Sequence, residues 1–392
     1  MKRSAEIVGG GIAGLVAGLA LAQKGWRVRI HERHSAPRTT RNAVFIWENG
    51  LRVLDALGVL APVTADGIRI VRLDRRNHRG GKISSSNFGE NFGLYSLLRE
   101  KLLTILHDAF VETGGAIVFN SRAVAADPDG SLHFADGRSL RADLVVAADG
   151  SASSIRDRLG LLKWRLSTNQ VGYQAVIPRP QDEIARASEG SYREYWNGPR
   201  RLRFAPCASG FAWVQLTSPL SERFSDTVSI DREFWRSLFP DLTSVVDCIP
   251  GGSRADKLEI VRLESWSEGQ VAVVGSAASA QPPFLGHGAG CTMMAAFSLA
   301  QAIDRARDVT DGLSAWELRE RAFNEWIQWI AYWYDQLAFL PAGARITALK
   351  AIDASTWVKR RTLLVAACRD VTAIARPSPT DVIAAGNYPL IH

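Results

Sequence analysis

Cysteine is scarce in this chain: Cys207, Cys248, Cys291 and Cys368 are the only four in 392 residues, far apart and without a CxxC pair. That spacing speaks against a disulfide framework and against a cysteine-rich metal site, so no metal is expected, and it suits a reducing compartment. Also lacking is any run long and apolar enough to span a membrane. There are 47 Lys and Arg against 40 Asp and Glu, a formal net charge of +7. The cations are scattered, however, and no zinc-finger spacing or RNA-binding signature accompanies them. Nucleic acid is therefore not an expected partner. A basic surface that attracts an anionic substrate and a phosphorylated cofactor fits better. Met1-Lys2-Arg3 before an apolar stretch mimics a signal peptide, but a glycine-rich loop interrupts the stretch and no small-residue cleavage site stands out. The expected location is the cytoplasm.

What is present is enough apolar material, 46% of residues, for a large core. Ala5 to Val8 reads as a buried strand that stops at glycine, and Ile12 to Lys24 as a helix closed by Gly25. Val28 and Ile30 alternate with arginines in a second strand ending near Glu32, which completes a βαβ opening. Glu48 to Leu57 reads as a further helix. Turn signals at Asp127-Pro128-Asp129-Gly130 and Asp136-Gly137 predict a meander, followed by a buried strand over Leu144 to Ala148. Gly172 to Ile177, Ser191 to Trp196 and Phe211 to Leu216 alternate in the β manner and predict an inserted antiparallel sheet. Val271 to Val274 returns to a core strand, and a helix is expected from about Cys291 to Arg307. Phe323, Trp326, Ile327, Ile330, Trp333 and Leu337 form one helical stripe, read as core packing.

Gly9-x-Gly11-x-x-Gly14 falls between the first strand and the first helix. In that position Gly9 permits a tight turn, Gly11 lets backbone approach a pyrophosphate, and Gly14 lets helix and strand pack closely. The helix start directs N–H groups and partial positive charge at the phosphates. Glu32, 18 residues after Gly14, is placed to accept ribose hydroxyls. The motif alone does not separate FAD from NAD.

Two further segments do. Asp149-Gly150, followed by Ser151, Ser154, Ile155 and Arg156, ends the strand after the meander. Gly275 and the loop Pro282-Pro283-Phe284-Leu285-Gly286-His287-Gly288-Ala289-Gly290-Cys291 precede a long helix. With the first loop, these resemble in order and separation the three fingerprints of the single-component aromatic hydroxylases, flavin monooxygenases related to para-hydroxybenzoate hydroxylase. Within that family Phe45 to Leu54, Asn120 with Ala123 to Pro128, Pro206-Cys207, Leu263 with Ser265-Trp266, and Gly288 to Cys291 with Ala296 to Leu299 are similar to the pyridine-ring oxygenases. Those are 2-methyl-3-hydroxypyridine-5-carboxylate oxygenase and 5-pyridoxate oxygenase.

The resemblance implies an α/β fold: an FAD-binding, Rossmann-like three-layer domain, an inserted antiparallel-sheet substrate domain, and C-terminal helices. The FAD-binding parts are expected at 1–75, 99–170 and 263–312, substrate-domain strands at 76–98 and 171–262, and the C-terminal helices at 313–392. It also implies a cycle in which NAD(P)H reduces FAD, molecular oxygen is captured as a flavin C4a-hydroperoxide, and a small anionic aromatic or heteroaromatic ring is oxygenated, with ring opening in the two named relatives. A flavin-binding protein or tailoring enzyme that no longer activates oxygen is the alternative. A homodimer is compatible with the chain.

Carried over residue by residue, Gly9, Gly11, Ile12, Ala13 and Gly14 hold the pyrophosphate, and Glu32 and Arg33 flank the adenosine ribose. Arg99 approaches the phosphates and Val124 the adenine. Asp149, Gly275 and Ser276 belong to the second and third fingerprints. Gly286, His287, Gly288, Ala289 and Gly290 approach the flavin's pyrimidine edge, and Pro283 lies on its substrate side. Arg201 is expected to hold a substrate carboxylate or phenolate, with Trp213 walling the pocket. Of Arg200, Arg201 and Arg203, at least one is expected to be a solvated strand residue.

Several positions depart from the family pattern. Ser276 and Ser279 replace an aspartate and a histidine. Arg41-Asn42-Ala43 replaces Gly-Ala-Gly beside the isoalloxazine, His287 a glutamine, and Trp213 a tyrosine. A serine at 276 makes a shorter, uncharged contact to the ribityl chain, so weaker FAD retention is expected.

Overall fold

The architecture follows from a computed structural model, which describes residues 2–37, 42–88, 93–182, 190–222, 230–251 and 255–367. A six-stranded sheet carries Ser267–Glu268, Val271–Val273, Leu144–Ala147, Ser4–Val8, Arg27–His31 and Ala116–Val118 in that order. It is parallel except for the hairpin that adds Ser267–Glu268 at its edge. The strand over Leu144–Ala147 is wholly buried, and the neighbouring Ser4–Val8 nearly so. Apolar runs without alternation suit strands covered on both faces. Helices Ile12–Gln23, Arg99–Glu112 and Gly288–Arg305 supply apolar surface to the same large core. The predicted meander forms a separate three-stranded sheet of Ala123–Ala126, Ser131–Phe134 and Ser139–Arg141.

The second large sheet has seven strands, ordered Ala255–Leu263, Leu162–Pro178, Phe211–Pro219, Arg200–Ala208, Ser191–Asn197, Arg72–Asn77 and Lys82–Asn87. It is antiparallel except where Ser191–Asn197 runs parallel to Arg72–Asn77, a pairing invisible to local sequence pattern. The segment read as Gly172 to Ile177 is the far part of a 17-residue strand. Its register against Ala255–Leu263 shifts between Ser167 and Val171, and Asn169 there takes φ 60°. Leu94–Leu98 does not join this sheet; it pairs with Ala43–Trp47 and Ile68–Arg69.

Side chains alternate across the seven strands, and the two faces differ in kind. The outer face carries Tyr173, Ala175, Tyr195, Leu202, Phe204, Val214 and Leu216, sealed by helices Arg232–Leu238 and Thr243–Asp247. The inner face mixes aromatic and charged residues, and packs against helix Val309–Gln336 and the segment 362–367.

Two further expectations shift. The helix read as Cys291 to Arg307 starts at Gly288 and ends at Arg305, so the glycines that looked like loop are its first turn. In the aromatic stripe, Ile327 and Ile330 are buried, but Trp333 is 56% exposed and is not core. No helix among the described residues is long and apolar enough to cross a membrane, and no group of metal-binding side chains occurs among them.

Candidate active site

The phosphate loop is built by contacts that only glycine allows. Gly9 has φ 105°, and a Cβ there would lie 2.5 Å from the Ala148 carbonyl oxygen. A Cβ on Gly14 would lie 1.9 Å from the Gly9 carbonyl oxygen, so strand and helix touch backbone to backbone. Gly11 is different: nothing in the protein lies within 4 Å of a Cβ added there. It caps helix Ile12–Gln23 without a side-chain bond, which leaves the first-turn N–H groups directed at a cavity.

That cavity measures about 580 Å³. Gly9, Gly11, Ile12, Ala13, Glu32, Arg33, Arg99, Asp149, Ser276, Pro283, Gly288 and Ala289 all line it. Gly14, Val124, Gly275, Gly286, His287 and Gly290 stand behind the lining. Gly275, with φ 68°, packs on Ala13, where a Cβ would come within 2.8 Å. Gly290 gives the same kind of room to Asn49, and Gly286 backs onto Phe45 and Trp47. Val124 is flanked by Arg122 and Ala123, which do line the cavity. His287 is buried beside Trp47, and burial pushes its pKa down to about 4. Arg41 lies outside the described residues. Gln174 and Gln281 also line the cavity; neither belongs to a motif, and only the strand register and loop path bring them there.

Glu32 is held by two backbone N–H donors. Its Oε2 accepts the Gly10 N–H at 2.9 Å, and its Oε1 accepts the His34 N–H at 3.0 Å. Burial works to raise its pKa, but these bonds and the His34 ring outweigh it, so the carboxyl stays below its ordinary range. Asp149 is the opposite case: burial raises its pKa. Its Oδ2 accepts the Ser154 N–H at 3.1 Å, and Ser153 and the Ile155 N–H also lie against the carboxyl, while its buried Oδ1 makes no well-formed hydrogen bond among the described residues. An incompletely satisfied acceptor on a residue that lines a cavity has capacity for one further donor.

On the inner sheet face, Phe45, Tyr192 and Trp213 form an aromatic box, with ring centroids 4.9 Å apart for Phe45–Trp213 and 5.2 Å for Phe45–Tyr192. Burial pushes the Tyr192 hydroxyl up to about 12. The Trp213 indole N–H donates to Gln174 Oε1 at 3.4 Å, which links the box to the cavity. Beneath it lie three wholly buried arginines, each facing a carboxylate. Arg75 meets Asp353 at 2.6 Å, Arg203 faces Glu194 at 3.4 Å, and Arg201 pairs with Asp335. The guanidinium expected to take a substrate carboxylate therefore already faces one of the protein's own. Arg201 and Arg203 both lie over the Phe284 ring, at 3.9 and 4.2 Å from its centroid. Arg200 is the partly solvated member of the trio, paired with Glu222.

A dinucleotide fits this cavity. The open space at Gly11, the uncapped helix start, the ionised Glu32 and the incompletely satisfied Asp149 Oδ1 supply what a pyrophosphate, a ribose and a ribityl chain require. The comparisons agree. A family model described as FAD binding domain matches residues 3–308. A 2-heptyl-3-hydroxy-4(1H)-quinolone synthase of Mycobacteroides abscessus is 36% identical over 90% of this chain and 95% of its own length. A kynurenine 3-monooxygenase of Salinispora tropica is 28% identical over 81% of this chain and 76% of its own length. The solved structure of tetrameric 2-methyl-3-hydroxypyridine-5-carboxylic acid oxygenase superposes with a TM-score of 0.84 at 33% identity, covering 95% of this chain and 97% of that one. This chain thus belongs to the FAD-dependent aromatic hydroxylase family and is a flavoprotein monooxygenase.

Proposed function

We propose that the protein uses NAD(P)H and molecular oxygen to hydroxylate an uncharged heteroaromatic ring that carries a ring carbonyl and an apolar substituent, as in a 2-alkyl-4(1H)-quinolone. The observation that carries this reading is the charge count of the inner sheet face. Arg75, Arg201 and Arg203 are matched by Asp353, Asp335 and Glu194, and all six side chains are 7% exposed or less. A substrate carboxylate there would lack a free counter-charge and would bear the cost of desolvation. The apolar surroundings point the same way: Phe45, Trp47, Trp213, Phe284, Leu363 and Leu364 belong to one buried cluster. The quinolone-named relative, alike over nine-tenths of this chain, supports the same substrate class.

In this reading Gly9 to Ala13 hold the pyrophosphate, Glu32 the ribose, and Asp149 and Ser276 the chain that leads to the ring system. FAD, when bound and reduced, supplies the oxygen in activated form. The protein's part is to hold the ring still and to keep water out. Phe45, Tyr192 and Trp213 grip it, and Leu363 and Leu364 help close the apolar side. Helix Gly288–Arg305 starts at the cavity without a side-chain cap, which favours negative charge at that point.

The test is substrate-stimulated NAD(P)H oxidation by the FAD-loaded protein across 2-alkyl-4(1H)-quinolones, hydroxypyridine carboxylates and phenols, with products identified by mass spectrometry. Turnover confined to the carboxylates would overturn the reading; a quinolone gaining one oxygen atom would carry it.

A further inference from the structure

The pairing of strands sets out the inner sheet face in cross-strand rows. One row runs Arg75, Glu194, Arg203, Gln215, Gln174, each residue directly opposite the next. The row beside it carries Ala205, Trp213 and Val176, and so holds the aromatic box. At one end Arg75 and Glu194 are engaged by Tyr334, at 2.8 and 2.5 Å. At the other end Gln174 lines the cavity. Between them stand Arg203 and Gln215, both with no solvent exposure.

These two are incompletely satisfied. Arg203 reaches Glu194 at 3.4 Å and the Tyr192 hydroxyl, but among the described residues none of its Nε, Nη1 or Nη2 bonds is well formed, and Gln215 makes none from Nε2 or Oε1. Buried polar atoms are nearly always paired, and a guanidinium beside a carboxamide is a costly place for exceptions. Arg201, one row further out, spends Nη2 on Asp335 and Gln170 and leaves only Nε and Nη1 without a well-formed bond, and its sheet neighbour is Thr217. The Arg203 row is the one level with Gln174 and beside Trp213.

We infer that Arg203 and Gln215 form a polar subsite beneath the aromatic box that reads a ring carbonyl and ring N–H on the substrate. The inference rests on the proposed uncharged, carbonyl-bearing substrate. Arg203 supplies N–H donors to the carbonyl oxygen. Gln215 accepts from the ring N–H through Oε1, or adds a second donor through Nε2. Glu194 balances the Arg203 charge, so the subsite recognises a dipole and not an anion. A site built this way rejects the isosteric ring that lacks the carbonyl, because its own donors are then left unpaired.

The experiment measures dissociation constants from the flavin absorption change of FAD-loaded protein, without NAD(P)H. Its two probes are 2-heptyl-4(1H)-quinolone and 2-heptylquinoline, which lacks the carbonyl and the N–H. Wild type is expected to prefer the quinolone by about tenfold or more. Arg203→Met and Gln215→Leu are each expected to lose a large part of this preference while keeping their FAD. Gln215→Leu removes no charge, so it decides the matter even if Arg203→Met folds poorly. Preference undiminished in Gln215→Leu, or no preference in wild type, overturns the subsite. Quinolone bound with the expected preference but never oxygenated overturns the proposed substrate and leaves the subsite standing.

Discussion

Arg201 donates through Nη2 to the carboxylate of Asp335, and neither side chain has any solvent exposure. The pair joins strand Arg200–Ala208 to helix Val309–Gln336, segments more than a hundred residues apart in sequence. Arg75 does likewise for helix Ala342–Ala354, through Asp353 at 2.6 Å. The C-terminal helices are thus fastened over the inner sheet face by ion pairs with little or no contact with water.

Breaking one partner of such a pair leaves a buried charge alone. Asp335→Ala is expected to lower unfolding free energy by about 3–5 kcal/mol, and the double change Arg201→Met, Asp335→Leu by clearly less. Urea unfolding of the three proteins checks this. Equal losses in the single and double variants would mean that the pair contributes only packing.

The two glycines of the phosphate loop separate protein from cofactor. Gly14→Ala forces a Cβ to 1.9 Å from the Gly9 carbonyl oxygen, and backbone there cannot yield cheaply. Gly11→Ala meets nothing of the protein. Gly14→Ala should therefore lower the melting temperature of the FAD-free protein. Gly11→Ala should leave it unchanged while weakening FAD binding by tenfold or more, about 1.4 kcal/mol. An FAD affinity unaltered by Gly11→Ala would place the pyrophosphate elsewhere.

His287 makes stability depend on acid. Burial pushes its pKa from the ordinary 6.5 down to about 4. Above the ordinary value both states are neutral, and nothing is lost. As the pH falls from 6.5 towards 4, the unfolded chain takes a proton that the folded one refuses, so the fold loses up to about 3 kcal/mol. His287→Gln, the residue usual in the family, should flatten this part of the stability–pH curve. Identical curves for the two proteins would show that His287 titrates normally.

Much of this architecture was legible in the sequence because its signals are local. The strand, Gly9 to Gly14 and the following helix are contiguous, and Glu32 is one strand away. The inner sheet face was not legible in the same way. Arg203, Gln215 and Gln174 are neighbours only through the register of three strands, and Arg201 meets Asp335 only once helix Val309–Gln336 has folded back. Periodicity marked Trp333 as core, yet a helix carrying aromatic residues around its circumference must leave some outside.

The serine at 276 offers a gain-of-function test. It lines the cavity at the start of the short helix Ser276–Ser279, where the family carries aspartate. A hydroxyl and a carboxylate can both accept a bond from a ribityl hydroxyl, but the ionised acceptor makes roughly the stronger bond by a factor of two. Asp149, which lines the same cavity, has its pKa raised by burial, and a carboxylate at 276 would add a second acidic acceptor there. Ser276→Asp is therefore expected to slow FAD loss on gel filtration and tighten binding about three- to tenfold. Retention no better than that of wild type would mean that the cofactor chain does not reach residue 276.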